Sequence, residues 1–196
     1  MIQLEGFEVA VSEIAAKVEH FVDSTQTPIV LIDGPAGSGK TTLALQLREA
    51  LFQRDLPVPR VLPMDDLYPG WEGLRQGAVY LVQRILGPLS RGEVASWQNW
   101  DWSNNQRGGG DVGNGHRSFE PGGILIVEGC GSLSQASHSL ANLSIFIERD
   151  QAARATAIKE RDGNRFDSYW DLWLAQETEF YKQENSKDLA DYVVTN

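Results

Sequence analysis

Apolar residues recur along this chain in two patterns, and the alternation between them marks its elements. Four short, mainly apolar runs read as strands: Ile29 to Ile32, Val58 to Met64, Gly123 to Gly129 and Leu143 to Ile147, the third with the continuous β-branched character of a central strand buried on both faces. A last short strand lies within Asp188 to Val194. Between these runs the period lengthens to that of a helix. Ser12 is placed to cap a first helix with Ile14, Val18, Phe21 and Val22 on one face, which should pack against the sheet edge. A second helix runs from about Lys40 to Gln53. A third, Leu74 to Leu86, presents Ala78, Leu81, Val82, Ile85 and Leu86 to a core before Gly87-Pro88 disturbs it. Asp150 caps a fourth, and Phe166 to Lys182 forms a fifth whose Trp170, Trp173, Leu174 and Tyr181 read as core. Strands alternating with helices predict an α/β domain on a parallel sheet. At 196 residues the chain is expected to be one domain over 1–196, able to bury about 70% of its unfolded surface.

The junction after the first strand carries the chemistry. Gly34-Pro35-Ala36-Gly37-Ser38-Gly39-Lys40-Thr41, followed by Thr42-Leu43-Ala44-Leu45, is a P-loop in its strand-loop-helix context. Four residues between Gly34 and Gly39 let successive N–H groups curl inward toward phosphate oxygens, and the following helix adds its positive end. Lys40 then reaches the β- and γ-phosphates, and Thr41 ligates Mg²⁺. Two further strand ends carry acids: Asp65-Asp66-Leu67-Tyr68, and Glu128, which can approach the same Mg²⁺ directly or through water. In an open parallel sheet, ligands collect at the carboxyl ends of the strands.

Trp97, Trp100 and Trp102 fall within six residues and serve either a core or a flat wall for a heterocycle. Ser103 to Arg117 reads as a mobile, glycine-rich surface loop. Its Gly108-Gly109-Gly110-Asp111-Val112-Gly113 spells a dinucleotide fingerprint, yet no buried strand precedes it and no helix follows. Arg154, Lys159 and Arg161 lie on a segment, 154 to 166, able to close over a transferring phosphoryl group and neutralise its charge.

Composition narrows the partners. With 17 Lys+Arg against 27 Asp+Glu the formal net charge is −10, which opposes loading onto a nucleic-acid backbone. Cys130 is the sole cysteine, so neither a disulfide framework nor zinc-type spacing exists. The acidic start of the chain is unlike a secretory signal, and no run of about 18 apolar residues occurs. A cytoplasmic protein with no membrane partner is expected, and self-association into a homo-oligomer is left open.

Taken in order, the P-loop, Asp65-Asp66-Leu67-Tyr68, Val127-Glu128-Gly129, Arg154 through Arg161-Asp162 and Ala190-Asp191-Tyr192-Val193-Val194 give a series that resembles the uridine kinase-like branch of P-loop small-molecule kinases, over about residues 28 to 194. The resemblance implies a three-layer P-loop NTPase fold with a five-stranded parallel sheet in the order 2-3-1-4-5, and ATP and Mg²⁺ as cofactors. It implies that Asp65 is the base toward the acceptor hydroxyl, that Glu128 assists the metal, that Arg154 contacts substrate or phosphates, and that Lys159 and Arg161 belong to a lid. Trp100-Asp101-Trp102 resembles a Tyr-Asp-Phe type segment of the acceptor pocket, with Tyr68 nearby. The family's histidine after that segment is absent, Ser103-Asn104-Asn105-Gln106 standing in its place. Tyr68-Pro69-Gly70-Trp71-Glu72-Gly73-Leu74 replaces the usual acceptor stretch. The reading is an ATP-dependent kinase acting on a hydroxyl of a small metabolite, with a nucleoside as the leading acceptor. A nucleotide-dependent ATPase or switch and a nucleotide sensor without phosphotransfer are its rivals.

Overall fold

The structure, a computed structural model, describes residues 1–22, 24–109, 113–163, 165 and 167–196. In chain order its main elements are β1 (Ile2–Glu5), α1 (Phe7–Val22), β2 (Ile29–Asp33), α2 (Lys40–Phe52), β3 (Arg60–Pro63), α3 (Leu74–Leu81), α4 (Gly87–Ser90), β4 (Ala95–Gln98), β5 (Trp100–Asp101), β6 (Gln106–Arg107), β7 (His116–Phe119), β8 (Leu125–Glu128), α5 (Gln135–His138), β9 (Leu143–Glu148), α6 (Gln151–Asp162), α7 (Asp167–Glu184), α8 (Ser186–Leu189) and β10 (Tyr192–Thr195). Six strands pair in the order β1-β10-β9-β2-β8-β3, every pair parallel.

Period-two alternation along these strands feeds two cores. Ile29, Leu31, Leu62, Leu125, Val127 and Val193 point to the face covered by α3 and α7. Val30, Ile32, Ile126, Ile145, Ile147 and Val194 point to the face covered by α1 and α2. Both faces are sealed by helices, which is why the strands read as unbroken apolar runs rather than alternating ones. The result is the three-layer α/β arrangement of P-loop NTPases.

Several expectations are corrected. The strands expected in the order 2-3-1-4-5 take that order, but the sheet has six strands rather than five, because Ile2–Glu5 adds a parallel edge strand beside β10. Its residues are mostly exposed, so no apolar run marked it. Helix α1 begins at Phe7, not Ser12, and lies on the sheet face against α2 rather than at the edge. The third helix passes through a π turn at Val82–Leu86 into α4, with Pro88 in the first turn of the new helix, where its missing N–H costs nothing. The segment 103 to 117 is not one loose loop. Gln106–Arg107 pairs with Trp100–Asp101, and His116–Phe119 pairs with Ala95–Gln98, both antiparallel. Gly110, Asp111 and Val112 of the rejected fingerprint lie outside the described residues.

Two loops bring the strand tips together. Gly129 has φ +143, and a Cβ there would stand 2.4 Å from Met64 Cβ, so the Glu128 and Asp65 tips approach closely only because residue 129 is glycine.

Candidate active site

The loop between β2 and α2 is built by three glycines at positive φ, Gly34, Gly37 and Gly39. A chain coiled this way can turn a run of N–H groups toward an anion, and here the Gly34 and Pro35 carbonyls face Lys40 while those of Ala36, Gly37 and Ser38 face outward. The outward carbonyls are tied from outside. Arg154 donates to the Ala36 carbonyl (3.2 Å), Arg149 to that of Gly37 (3.2 Å) and the Asn196 amide to that of Ser38 (2.8 Å). Helix α6 lies so close that a Cβ on Gly37 would stand 2.6 Å from the Arg154 carbonyl oxygen. The Pro35 carbonyl accepts instead from within the loop, from the Ser38 N–H (3.1 Å), and Thr42 lies in the first turn of α2. The Ser38 hydroxyl is fully buried and has no hydrogen-bond partner among the described residues, a polar atom that a phosphate oxygen in the loop would satisfy.

Lys40 is buried, with Nζ donating to the Gly34 (2.7 Å) and Pro35 (3.0 Å) carbonyls and contacting Cys130 Sγ at 3.4 Å. Facing carboxylates and Cys130 raise its pKa against desolvation, so it remains an ammonium. Thr41 donates to Glu128 Oε1 at 3.0 Å. This hydroxyl–carboxylate pair suits a hard divalent cation that takes its other ligands from phosphate and water. Among the described residues no cluster of three or more His, Cys, Asp or Glu forms a self-sufficient metal cage.

Asp65 sits on a single 3-10 turn, Met64–Asp66, that ends β3. Its carboxyl has no hydrogen-bond partner among the described residues. Partial desolvation pushes its pKa up, opposed by the Lys40 and Arg161 charges and assisted by Asp162. Glu128 is raised for the same first reason, with Lys40 and Thr41 pulling it down. The structure therefore brings Lys40, Thr41, Glu128, Asp65 and Arg161 within hydrogen-bond or electrostatic reach of one another at the carboxyl ends of β2, β3 and β8. Arg161 forks onto Asp162 through Nε (2.9 Å) and Nη2 (2.6 Å). Lys159 is exposed. Helix α6 buries none of its residues, and Arg154 ties it to the Ala36 carbonyl. Asn164 and Phe166 of the expected lid lie outside the described residues.

Other expected site residues go elsewhere. Tyr68 is 1% exposed, and its hydroxyl donates to the Cys130 carbonyl (2.6 Å), which places it in the core beneath the site. Asp101 spends its carboxylate on its own turn, accepting from the N–H groups of Ser103 and Asn104 and from the Asn104 amide. Those bonds hold its pKa below the usual range. Trp97 is core. Trp100 is half-buried, with Arg107 5.7 Å from its ring, whereas Trp102 is 40% exposed and donates from Nε1 to the Asp65 backbone carbonyl at 2.9 Å.

Four residues that sequence reasoning passed over hold the site in shape. Glu177 of α7 is 3% exposed, and its Oε1 accepts from Ala36 N–H (2.8 Å), Trp173 Nε1 (2.9 Å) and the Cys130 thiol (3.0 Å). An acid in the apolar stripe Trp173, Phe180, Tyr181 was the available signal. Asp33 accepts from Gly34, Gly131 and Leu133 N–H groups and from the Tyr181 hydroxyl. It closes a strand, and that position pointed to it. Arg149, the first residue past β9, carried the same positional mark. Asn196 carried none. The two hollows along α3, about 320 and 310 Å³, contain none of these side chains.

Burial pushes the Asp33 pKa up to about 6 despite its hydrogen bonds and Lys40. A carboxyl whose folded pKa exceeds the unfolded value of 3.8 stabilises the fold fully at low pH, and loses that contribution as pH rises through about 6. Wild type should gain about 1 kcal/mol over Asp33→Asn as pH falls from about 7 to about 5, measured by urea unfolding. A stability difference that stays flat or shrinks across that range would contradict the buried, protonatable carboxyl.

No family model matches the sequence, and no curated protein matches it. Solved structures do match. A possible uridine kinase from Bacillus stearothermophilus superposes with TM-score 0.60 at 17% identity, covering 93% of this chain and 99% of that one. A proposed fructose transport system kinase from Silicibacter sp. TM1040 gives 0.57 at 19%, covering 93% and 98%. YFH7 from Saccharomyces cerevisiae, a proposed P-loop kinase with a circular permutation, gives 0.51 at 12%, covering 97% and 98%. The chain thus shares its fold, over nearly its whole length, with these three proteins.

Proposed function

We propose that this protein is an ATP-dependent kinase that transfers the γ-phosphoryl group to a hydroxyl of a small metabolite, with a nucleoside as the leading acceptor. The observation that carries the reading is Asp65. Its carboxyl stands open to solvent and without a hydrogen-bond partner among the described residues, within the electrostatic reach of both Lys40 and Arg161. Bound Mg²⁺·ATP would supply the phosphoryl group and the charge that polarises it. The P-loop from Gly34 to Thr42 and Lys40 would hold the triphosphate, and Thr41 with Glu128 would hold the cation. Asp65 accepts the acceptor hydroxyl's proton in a hydrogen bond and aims its oxygen in line. In a loose transition state such placement matters more than early proton removal. Arg161 would neutralise charge on the transferring oxygens, and Arg154 would act on the phosphates through the loop whose Ala36 carbonyl it holds.

The same reading takes residues 1–196 as one cytoplasmic kinase domain, with 154 to 166 as its lid and a small molecule rather than nucleic acid or membrane as its partner. Among the described residues no helix is long and apolar enough to cross a membrane. Release of ADP, measured with and without a panel of nucleosides and small polyols, tests the proposal. Acceptor-stimulated release is expected. Turnover indifferent to every acceptor would point to an ATPase or switch, and tight nucleotide binding without turnover to a sensor.

A further inference from the structure

Asp65 can aim a hydroxyl only if its own carboxyl is held still, and its turn supplies little to hold it with. No hydrogen bond fixes that carboxyl among the described residues, and the three-residue turn Met64–Asp66 closes through one backbone bond, from Leu67 N–H to the Met64 carbonyl at 2.8 Å. A single turn of this kind does not keep its shape unaided.

The support comes from outside, from the stretch between β4 and β6. Three of its side chains bond three successive residues of the turn. Trp102 Nε1 donates to the Asp65 carbonyl (2.9 Å), the Asn99 amide to the Asp66 carboxylate (2.9 Å), and Arg107 Nη2 to the Leu67 carbonyl (2.9 Å). Each grip is itself anchored. Asn99 Oδ1 accepts from the Trp97 indole (3.0 Å), which is buried in the core. Arg107 lies 3.7 Å over the Tyr80 ring of α3 and sends Nη1 to the Gln98 carbonyl (3.0 Å). The stretch is stitched together by the pairing of Trp100 with Arg107 and by the Gly108 N–H on the Asn99 carbonyl (2.9 Å). The grips therefore keep fixed positions relative to one another. The charges acting on the Asp65 carboxyl are those of Lys40, Arg161 and Asp162, so Arg107 acts on it through the backbone.

We propose, resting on the phosphotransfer reading, that Arg107 and Asn99 are positioning residues for Asp65: they clamp its turn to the 97–107 arm and so set the direction in which its carboxyl meets the acceptor hydroxyl. A guanidinium can fork onto two carbonyls while stacked on a ring, which a lysine ammonium cannot do. Misplacement of a catalytic group by about an ångström costs up to about a hundredfold in rate, so loosening one clamp is expected to cost about tenfold.

A double-mutant cycle on acceptor-stimulated ADP release tests this, at saturating Mg²⁺·ATP and with whichever of uridine, adenosine, ribose and glycerol stimulates most. Arg107→Lys and Asn99→Asp should each lower kcat about tenfold in the wild-type background, with KM for ATP changed by less than about twofold. In the Asp65→Asn background the same substitutions should lower the residual rate by less than about twofold, because the group they aim is gone. A merely structural role would lower both backgrounds alike. Asn99→Asp keeps an acceptor for the Trp97 indole while losing the donor to Asp66, so the cycle can still be read if Arg107→Lys does not fold. Equal losses in the two backgrounds, or an unchanged kcat in the first, would overturn the assignment and leave phosphotransfer standing. If no acceptor raises ADP release in the wild type, the phosphotransfer reading itself fails and carries this one with it.

Discussion

Replacing Asp65 with asparagine is expected to lower acceptor-stimulated turnover by about a hundredfold or more, with affinity for a non-hydrolysable ATP analogue changed by no more than about threefold. The substitution is nearly isosteric. The carboxyl gives up no protein hydrogen bond when it becomes an amide, because the Trp102 indole is bonded to the residue-65 backbone carbonyl instead. The turn itself is held by Leu67 N–H donating to Met64 (2.8 Å) and by the glycine at 129, neither of which the substitution touches. What changes is the ability to accept a proton and aim a hydroxyl. Asp65 has its pKa raised by partial desolvation, so the acid limb of the wild-type pH–rate profile should lie above the ordinary carboxylate range. That limb should vanish in the variant. Calorimetric titration of the ATP analogue alongside the turnover assay separates the two roles. An equal loss of nucleotide affinity would make Asp65 a metal or structural group and leave phosphotransfer without its acceptor-side residue.

The sequence announced the parts of this site whose chemistry is local. A P-loop is a backbone conformation, so the glycines at 34, 37 and 39 and the flanking strand and helix marked it completely. Strand-end acids were legible for a similar reason: Asp65 and Glu128 each follow an apolar run directly. Side-chain direction was not legible. Asp65 and Tyr68 lie three residues apart on an irregular turn, and the structure leaves one at the site and puts the other in the core. Asp101 reads as a pocket acid until its bonds to Ser103 and Asn104 are seen, because an Asx turn and a binding carboxylate present the same letters. The edge strand Ile2–Glu5 escaped notice because three of its four residues are exposed and only Leu4 packs on the core, so it lacks the apolar signature of the interior strands. The pairing of Trp100–Asp101 with Gln106–Arg107 was missed because two residues a side leave almost no period to detect.

Glu177→Ala should lower the thermal midpoint of the nucleotide-free protein by about 10 °C, a loss of about 3 to 5 kcal/mol. One carboxylate oxygen satisfies three buried donors, the Ala36 amide, the Trp173 indole and the Cys130 thiol, and alanine leaves all of them unpaired. Glu177→Gln keeps an acceptor oxygen in the same place and should cost about 1 kcal/mol. Thr178→Ala, on the exposed side of the same helix, should change stability by less than about 0.5 kcal/mol. The consequence reaches the site because Ala36 belongs to the phosphate loop. Its N–H is held from the α7 side by Glu177 while its carbonyl is held from the α6 side by Arg154. On the acceptor side, α7 carries Tyr169 and Trp173, which pack on Trp71, and Gln176, whose amide donates to the Trp71 carbonyl at 2.7 Å. From Tyr169 to Glu177 is eight helical steps, about 12 Å, so one rigid helix touches both halves of the site. Nucleotide affinity in Glu177→Ala should therefore fall by about tenfold, and an ATP analogue at about a hundred times its dissociation constant should restore up to about 2.7 kcal/mol of stability. Differential scanning calorimetry of the three variants, with and without the analogue, reads all of these quantities. A Glu177→Ala protein that melts with Thr178→Ala would show that the loop is held by its glycines and arginines alone.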